Sequence, residues 1–176
     1  MNVYSDHDFI EKSIERVRTK AAKPEVVAIG EAGLDKLRGA DISIQLDLFT
    51  KQIEISETTE KPLIIHCVKY VDEILELRRK MRPKQKWILH GYRNKVEQAK
   101  TFHSHGIDVS FGKYHNERAL HTAYKLGCLW LETDESDLDI RTHYQNVANV
   151  LGIDVEELKL NIYNRASWLS SSFHPE

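Results

Sequence analysis

Short apolar runs alternate with longer stretches of helical periodicity along this chain. The runs are Val26-Val27-Ala28-Ile29-Gly30, Leu63-Ile64-Ile65, Trp87-Ile88-Leu89, Ile107-Asp108-Val109-Ser110-Phe111 and Cys128-Leu129-Trp130-Leu131. Short apolar runs bounded by turn residues suit strands buried on both faces of a parallel sheet. They predict strands at about residues 26–30, 63–66, 87–90, 107–111 and 128–132, the fourth with some alternation. The first helix is predicted before Glu31, with Ser5-x-x-Asp8 as a capping box and Phe9, Ile10, Ile14 and Val17 at helical spacing. Residues 42–60 carry Leu48 and Ile55 on one face, and Pro62 ends them. Val71, Ile74, Leu75 and Met81 mark a helix stopped by Pro83, and Val96, Ala99 and Phe102 one followed by Gly106 at C′. Ala119, Leu120, Ala123 and Tyr124 lead to Gly127, and residues 140–151 to Gly152. Asp154-x-x-Glu157 opens a last helix packing Leu158, Ile162, Ala166 and Leu169.

Strict alternation of strand and helix predicts a parallel α/β fold. An open doubly wound sheet is the first rival, but Gly30-x-x-Gly33 lacks the spacing of a phosphate-binding fingerprint. A complete eight-stranded barrel needs roughly 200 residues or more. With 176 residues and about five strands, the pattern predicts an incomplete barrel or a small open sheet.

The ends of the apolar runs carry the candidate chemistry. The first stops at Glu31, the second at His66, the third at His90, and the last at Glu132, Thr133 and Asp134. Chemistry on a parallel barrel collects at the C-terminal ends of strands. Imidazole and carboxylate suit zinc, manganese or iron, and carboxylate-rich sites also take magnesium. Glu31, His66, His90 and Asp134 are therefore candidate ligands for divalent metal. Glu31 lies among glycines that allow a tight turn, which makes it the candidate bridge between two ions. Asp134 is suited to orienting or deprotonating water. The histidines at 103, 105, 115, 121, 143 and 174 read as solvated or partner-capping groups. Lys36, Arg38, Lys69, Arg93, Lys95 and Lys113 follow strand ends, with Tyr70, Tyr92 and Tyr114 among them. Cations interspersed with aromatics suit a phosphodiester whose bases can stack. The basic run from Arg78 to Lys86 ends a helix and enters a strand, so it is expected on the opposite rim as a solvated face.

Composition narrows the setting. The formal net charge of −2 argues against a chain that binds nucleic acid by bulk charge, while leaving room for a local basic patch. No apolar run approaches the roughly 20 residues of a membrane span, and the first residues lack the apolar core of a signal peptide. Cys67 and Cys128 both fall at strands and read as reduced, buried thiols, which predicts a cytoplasmic protein.

The residues resemble the TatD family of metal-dependent hydrolases and deoxyribonucleases. The matching motifs are Gly30-Glu31-Ala32-Gly33-Leu34-Asp35, Gln45-x-x-x-Phe49-x-x-Gln52, Pro62-Leu63-Ile64-Ile65-His66, Leu89-His90-Gly91-Tyr92, the Ile107 to Gly112 run, Leu131-Glu132-Thr133-Asp134 and Asn164-Arg165-Ala166. They run in order from about Glu25 to Leu169. The resemblance implies a single domain over residues 1–176, with a (β/α) TIM-type barrel of the amidohydrolase kind. It implies hydrolysis of phosphodiesters, typically DNA, with Mg, Mn or Zn ions. Glu31 would bridge two metals, His66 and His90 would complete one site, and Asp134 would serve the other. Lys69, Tyr92, Arg93 and Lys113 would bind substrate.

The family's opening strand, with its His-x-His pair, has no counterpart here. Val68 stands where the family often has Arg, with Lys69 as its possible stand-in, and Tyr92 where it often has Phe. The resemblance thus implies a barrel incomplete at the N-terminus through a late start, a truncation or divergence. The site of His66, His90 and Glu31 would be intact and that of Asp134 depleted. An unpaired strand edge at Val26–Gly30 would make the chain marginally stable or prone to self-association. The competing reading is a degenerate, non-catalytic module that kept the rim.

Overall fold

The computed structural model describes residues 3–166, and side chains from residue 10 onward. Five strands alternate with helices, and every strand pairing described below is parallel, so the fold class is α/β. The chain divides into two compact units, with the boundary between Lys86 and Trp87.

The first unit holds α1 (Val3–Ala21), β1 (Ile29–Asp35), α2 (Ile42–Thr59), β2 (Leu63–Val68) and α3 (Val71–Met81). Strands β1 and β2 pair with Ile29 opposite Leu63, Gly33 opposite His66 and Asp35 opposite Val68, and the register shifts between Ile29 and Ala32. The extra residue on β1 bulges the strand at Gly30 and Glu31. Leu34, Phe49, Ile53, Ile55, Leu63, Ile65 and Ile74 are fully buried and form this unit's core. The Lys61 ammonium ties the end of α1 down by donating to the carbonyls of Ala21 and Lys23.

Two expectations change here. The helix begins at Val3, so Ser5-x-x-Asp8 lies inside its first turns rather than capping it. The strand predicted at 26–30 runs instead from Ile29 to Asp35, which places Glu31 within β1 rather than beyond its end. The glycines around Glu31 therefore make no turn. Gly33 serves a close approach: a Cβ there would lie 2.0 Å from the His66 carbonyl oxygen, and its φ is +143°.

The second unit holds β3 (Trp87–Leu89), α4 (Val96–Ser104), β4 (Ile107–Phe111), α5 (Glu117–Leu126), β5 (Leu129–Leu131), α6 (Ile140–Leu151) and α7 (Val155–Arg165). Strand β4 is central, pairing Ile107 with Trp87 and Val109 with Leu89 on one side, and Val109 with Leu129 and Phe111 with Leu131 on the other. All five of its residues are buried despite their polar–apolar alternation. Its polar members are satisfied: Asp108 accepts from the Trp130 indole N–H at 2.8 Å, and Ser110 is hydrogen-bonded to the Glu132 carboxylate. Arg165, in the motif expected in the last helix, lies over the Trp130 ring at 5.4 Å and donates to the Leu129 carbonyl.

The helix stops fall where turn residues predict them, with Gly106, Gly127 and Gly152 all at positive φ. Asp154 caps α7 by accepting from Glu156 N–H, whereas Glu157 accepts from the Tyr124 hydroxyl instead of closing a capping box. The expected core contributions of Phe9 and Leu169 lie outside the described side chains.

Candidate functional site

In the first unit the bulge on β1 presents Glu31, and β2 presents His66. Each offers a ligand atom within 4.8 Å of the other. His66 is held from behind by Asp35, whose Oδ2 lies 3.2 Å from Nε2. Asp35 is itself well fixed. Its Oδ1 accepts from the N–H groups of Leu37 and Arg38, while its main chain exchanges hydrogen bonds with the Gln45 amide. Burial opposes the charge on Asp35, but the Leu37 N–H, the His66 ring and the Arg38 N–H hold it below the usual carboxylate range. A carboxylate behind an imidazole fixes tautomer and ring orientation, as metal-ligating histidines require. The Gln45-x-x-x-Phe49 motif thereby gains a physical meaning: Gln45 fastens the end of β1, and Phe49, one turn on, is buried in the core.

In the second unit His90 follows β3, and Glu132 and Asp134 follow β5. His90, Glu132 and Asp134 each offer a ligand atom within 4.8 Å of the other two. The sequence predicts no role for Glu132, although it ends an apolar run as His66 and His90 do. Its carboxylate accepts from the Gly91 N–H at 2.6 Å, bonds Ser110, and lies 3.9 Å from the His90 ring. Burial pushes its pKa up, against the pull of these donors and of His90. Glu132 therefore fastens the loop after β3 to the end of β5 and fixes the backbone beside His90. Asp134 sits in the left-handed region at φ 46°, uncommon for a residue with a side chain. The donor set of one imidazole and two carboxylates fits zinc, manganese or magnesium.

The expected substrate-binding residues divide. Lys69, Arg93 and Lys113 are exposed. Tyr92 is not: at 1% exposure it packs edge-on against Phe102 and Phe111, and its hydroxyl donates to the Lys95 carbonyl at 2.6 Å. Arg93 and Lys113 instead flank Tyr114, at 5.8 and 5.7 Å from its ring centroid. Lys36 lies in the same way 5.7 Å from the Tyr70 ring. Gly91, Arg93, Gly112, Lys113, Tyr114 and residues 132–136 line a cavity of about 230 Å³. His143 is also unlike its expectation, being buried in α6 with Nε2 bonded to the Phe111 carbonyl at 2.8 Å. His115 lies 6.1 Å away, ring to ring. In the basic run Arg79, Lys80, Arg82 and Lys84 are exposed, whereas Arg78 is half-buried and donates to the Gln85 carbonyl, and Glu57 accepts from Lys84 and Gln85 N–H.

Residues 3–167 match the model of the TatD related DNase family. The chain belongs to this family. Among its relatives, a metal-dependent hydrolase of Methanocaldococcus jannaschii is 26% identical over 178 aligned residues, covering 92% of this chain and 68% of that protein. A metal-dependent hydrolase of Buchnera aphidicola is 29% identical over 69% of this chain. The chain spans about half the length of that relative, 49%. The 3′-5′ ssDNA/RNA exonuclease TatD of Cronobacter turicensis is 38% identical over 32% of this chain and 22% of its own length. The crystal structure of a TatD homologue from Escherichia coli K12 superposes with a TM-score of 0.73 at 22% identity, over 90% of this chain and 70% of the other. The TatD fold, of TIM-barrel type, is thus shared by this chain.

Proposed function

We propose that this TatD-family chain is a metal-dependent hydrolase of nucleic-acid phosphodiesters, most directly DNA, and that residues 1–176 act as one hydrolase domain. Glu31, His66, His90 and Asp134 are the residues assigned to metal, and Lys69, Arg93 and Lys113 to the phosphate backbone. The observation that carries this reading is the convergence of His90, Glu132 and Asp134 beside exposed Arg93 and Lys113. The family match and the nuclease names of relatives support it.

A divalent ion held there supplies Lewis-acid polarisation of a phosphoryl oxygen and lowers the pKa of water. The side chains do the rest. Asp35 holds the His66 imidazole in one orientation, and Glu132 fixes the loop bearing His90. Arg93 and Lys113 would neutralise the phosphate, and the Asp134 carboxylate would orient the attacking water and accept its proton as the new P–O bond forms; the P–O bond to the leaving sugar oxygen breaks, and that oxygen takes a proton from solvent. Glu31 would help hold the ion through its carboxylate.

A reducing, cytoplasmic setting belongs to the same proposal. Neither Cys67 nor Cys128 forms a disulfide, and burial pushes the Cys67 thiol up to about 11, which keeps it unreactive. Among the described residues no helix is long and apolar enough to cross a membrane. Self-association through the β1 edge is a further part, since among the described residues β1 is hydrogen-bonded on one side, to β2. Sedimentation velocity reads it directly.

The test is cleavage of labelled single- and double-stranded oligonucleotides with added Mg²⁺, Mn²⁺ or Zn²⁺. The proposal expects metal-dependent cleavage that EDTA abolishes and that the His66→Ala, His90→Ala double variant loses. Binding without cleavage under every metal would mark a degenerate module. Cleavage unchanged in the double variant would remove these histidines from the reaction.

A further inference from the structure

The sequence places three tyrosines among the cations that follow strand ends, and the structure treats them differently. Tyr92 is core. Tyr114 is 63% exposed, although a phenol ring left in water forgoes substantial apolar burial. Two cations hold their charges close to that ring, Arg93 at 5.8 Å and Lys113 at 5.7 Å, and Asp137 pairs with Lys113 at 3.1 Å. Paired on Asp137 and packed on the ring, the lysine has less side-chain freedom to lose when a ligand arrives.

The adjoining cavity sets what can bind. It is lined by Arg93, Lys113 and Tyr114 together with Glu132 and Asp134, and its volume is about 230 Å³. Pockets that enclose a whole organic ligand run from roughly 300 Å³ upward. This one suits a phosphate group and its water, and it leaves the attached sugar and base outside. The exposed aromatic at the mouth is Tyr114.

We infer that Tyr114 is a nucleobase-stacking platform, on which the base next to the cavity-bound phosphate lies while Arg93 and Lys113 neutralise the backbone. This rests on the phosphodiester reading above and deepens it by naming the residue that distinguishes a nucleotide from any other phosphate ester. Stacking is tolerant of base identity, because every base has a π face.

Binding of hydrolysis-resistant phosphorothioate oligomers with Mn²⁺ present separates this inference from catalysis. Fluorescence anisotropy would follow a labelled oligothymidylate and an abasic oligomer of the same length and charge. The wild-type protein should bind the base-bearing oligomer more tightly. Tyr114→Ala should weaken that binding roughly tenfold, the loss of one stacked base, and leave abasic binding within about twofold, a bound set by the phosphate contacts it retains. Tyr114→Phe should keep the base preference. Circular dichroism melts confirm that these exposed-site variants fold. Equal losses on both oligomers, no loss on either, or no base preference in the wild-type protein would each overturn the assignment. Base-selective binding through Tyr114 in a protein that cleaves nothing would uphold it and strike only the hydrolase reading.

Discussion

Gly33→Ala tests the close approach of β1 to β2 behind His66. The added Cβ would stand 2.0 Å from the His66 carbonyl oxygen and 2.9 Å from the carbonyl carbon and amide nitrogen, all of them backbone atoms that cannot swing aside. Restoring an ordinary contact needs the strands to separate locally by about 1 Å, enough to spoil about two ladder hydrogen bonds, each with a net value of about 0.5–1.5 kcal/mol. Holding an L-residue at φ +143° adds about 1–2 kcal/mol of backbone strain. The sum is roughly 2–5 kcal/mol, a large share of the 5–15 kcal/mol typical of a folded domain. Gly127→Ala is the control. Gly127 has φ +69°, and nothing lies within 4 Å of its added Cβ, so it carries only the conformational part, about 1 kcal/mol. Urea denaturation of both variants beside the wild-type chain measures the difference. A Gly33→Ala cost within about 0.5 kcal/mol of the Gly127→Ala cost would refute the steric reasoning and the register it rests on.

Tyr92→Phe removes one buried hydrogen bond to Lys95 and should cost about 1 kcal/mol in urea denaturation, with oligonucleotide affinity unchanged; a fall in affinity would return Tyr92 to the substrate surface. Glu132→Ala leaves the Gly91 N–H without its acceptor and should cost about 2–3 kcal/mol, against about 1 kcal/mol for Glu132→Gln, which retains an acceptor; equal costs would deny the loop-fastening role. Burial holds His143 below its ordinary value of 6.5, so the unfolded chain takes up this proton first. Its contribution is fully present above pH 6.5 and is lost as pH falls toward the lowered folded value, with a slope of at most about 1.4 kcal/mol per pH unit. His143→Gln should flatten the stability profile between pH 7 and about 5; an unchanged profile would contradict the neutral, buried assignment.

Strands β2, β3 and β5 are legible because each carries a compact apolar run, a signature of burial on both faces, and β4 because its alternating run is bounded by Gly106 and Gly112. Strand β1 was misplaced for a physical reason. Val26–Ala28 looks strand-like and lies outside the strand, whereas Ala32-Gly33-Leu34-Asp35 has poor strand propensity and is in it. Pairing with β2, which only Gly33 permits at that distance, overrides local preference. The same shift hid the partnership of Asp35 with His66, since Asp35 appeared to lie in a loop. Glu132 stood at a run end in plain view, but its bond to Gly91 joins residues 41 apart, and periodicity carries no such information. A tyrosine after a strand-end histidine looks accessible, but the rings of Phe102 and Phe111 and the Lys95 carbonyl give Tyr92 a better place inside. The resemblance assigns His90 and Asp134 to different metals, whereas the structure brings a ligand atom of each within 4.8 Å of the other, with Glu132 beside them.

The most direct test of the metal assignment is equilibrium binding of Mn²⁺ or Zn²⁺ to the chelator-stripped chain, with stoichiometry read by elemental analysis. Glu31, His66, His90 and Asp134 predict at least about one ion per chain. His66→Ala with His90→Ala should abolish that binding, and Tyr92→Phe should leave it intact. No bound metal in the wild-type chain, or the same stoichiometry and affinity in the double variant, would contradict the account.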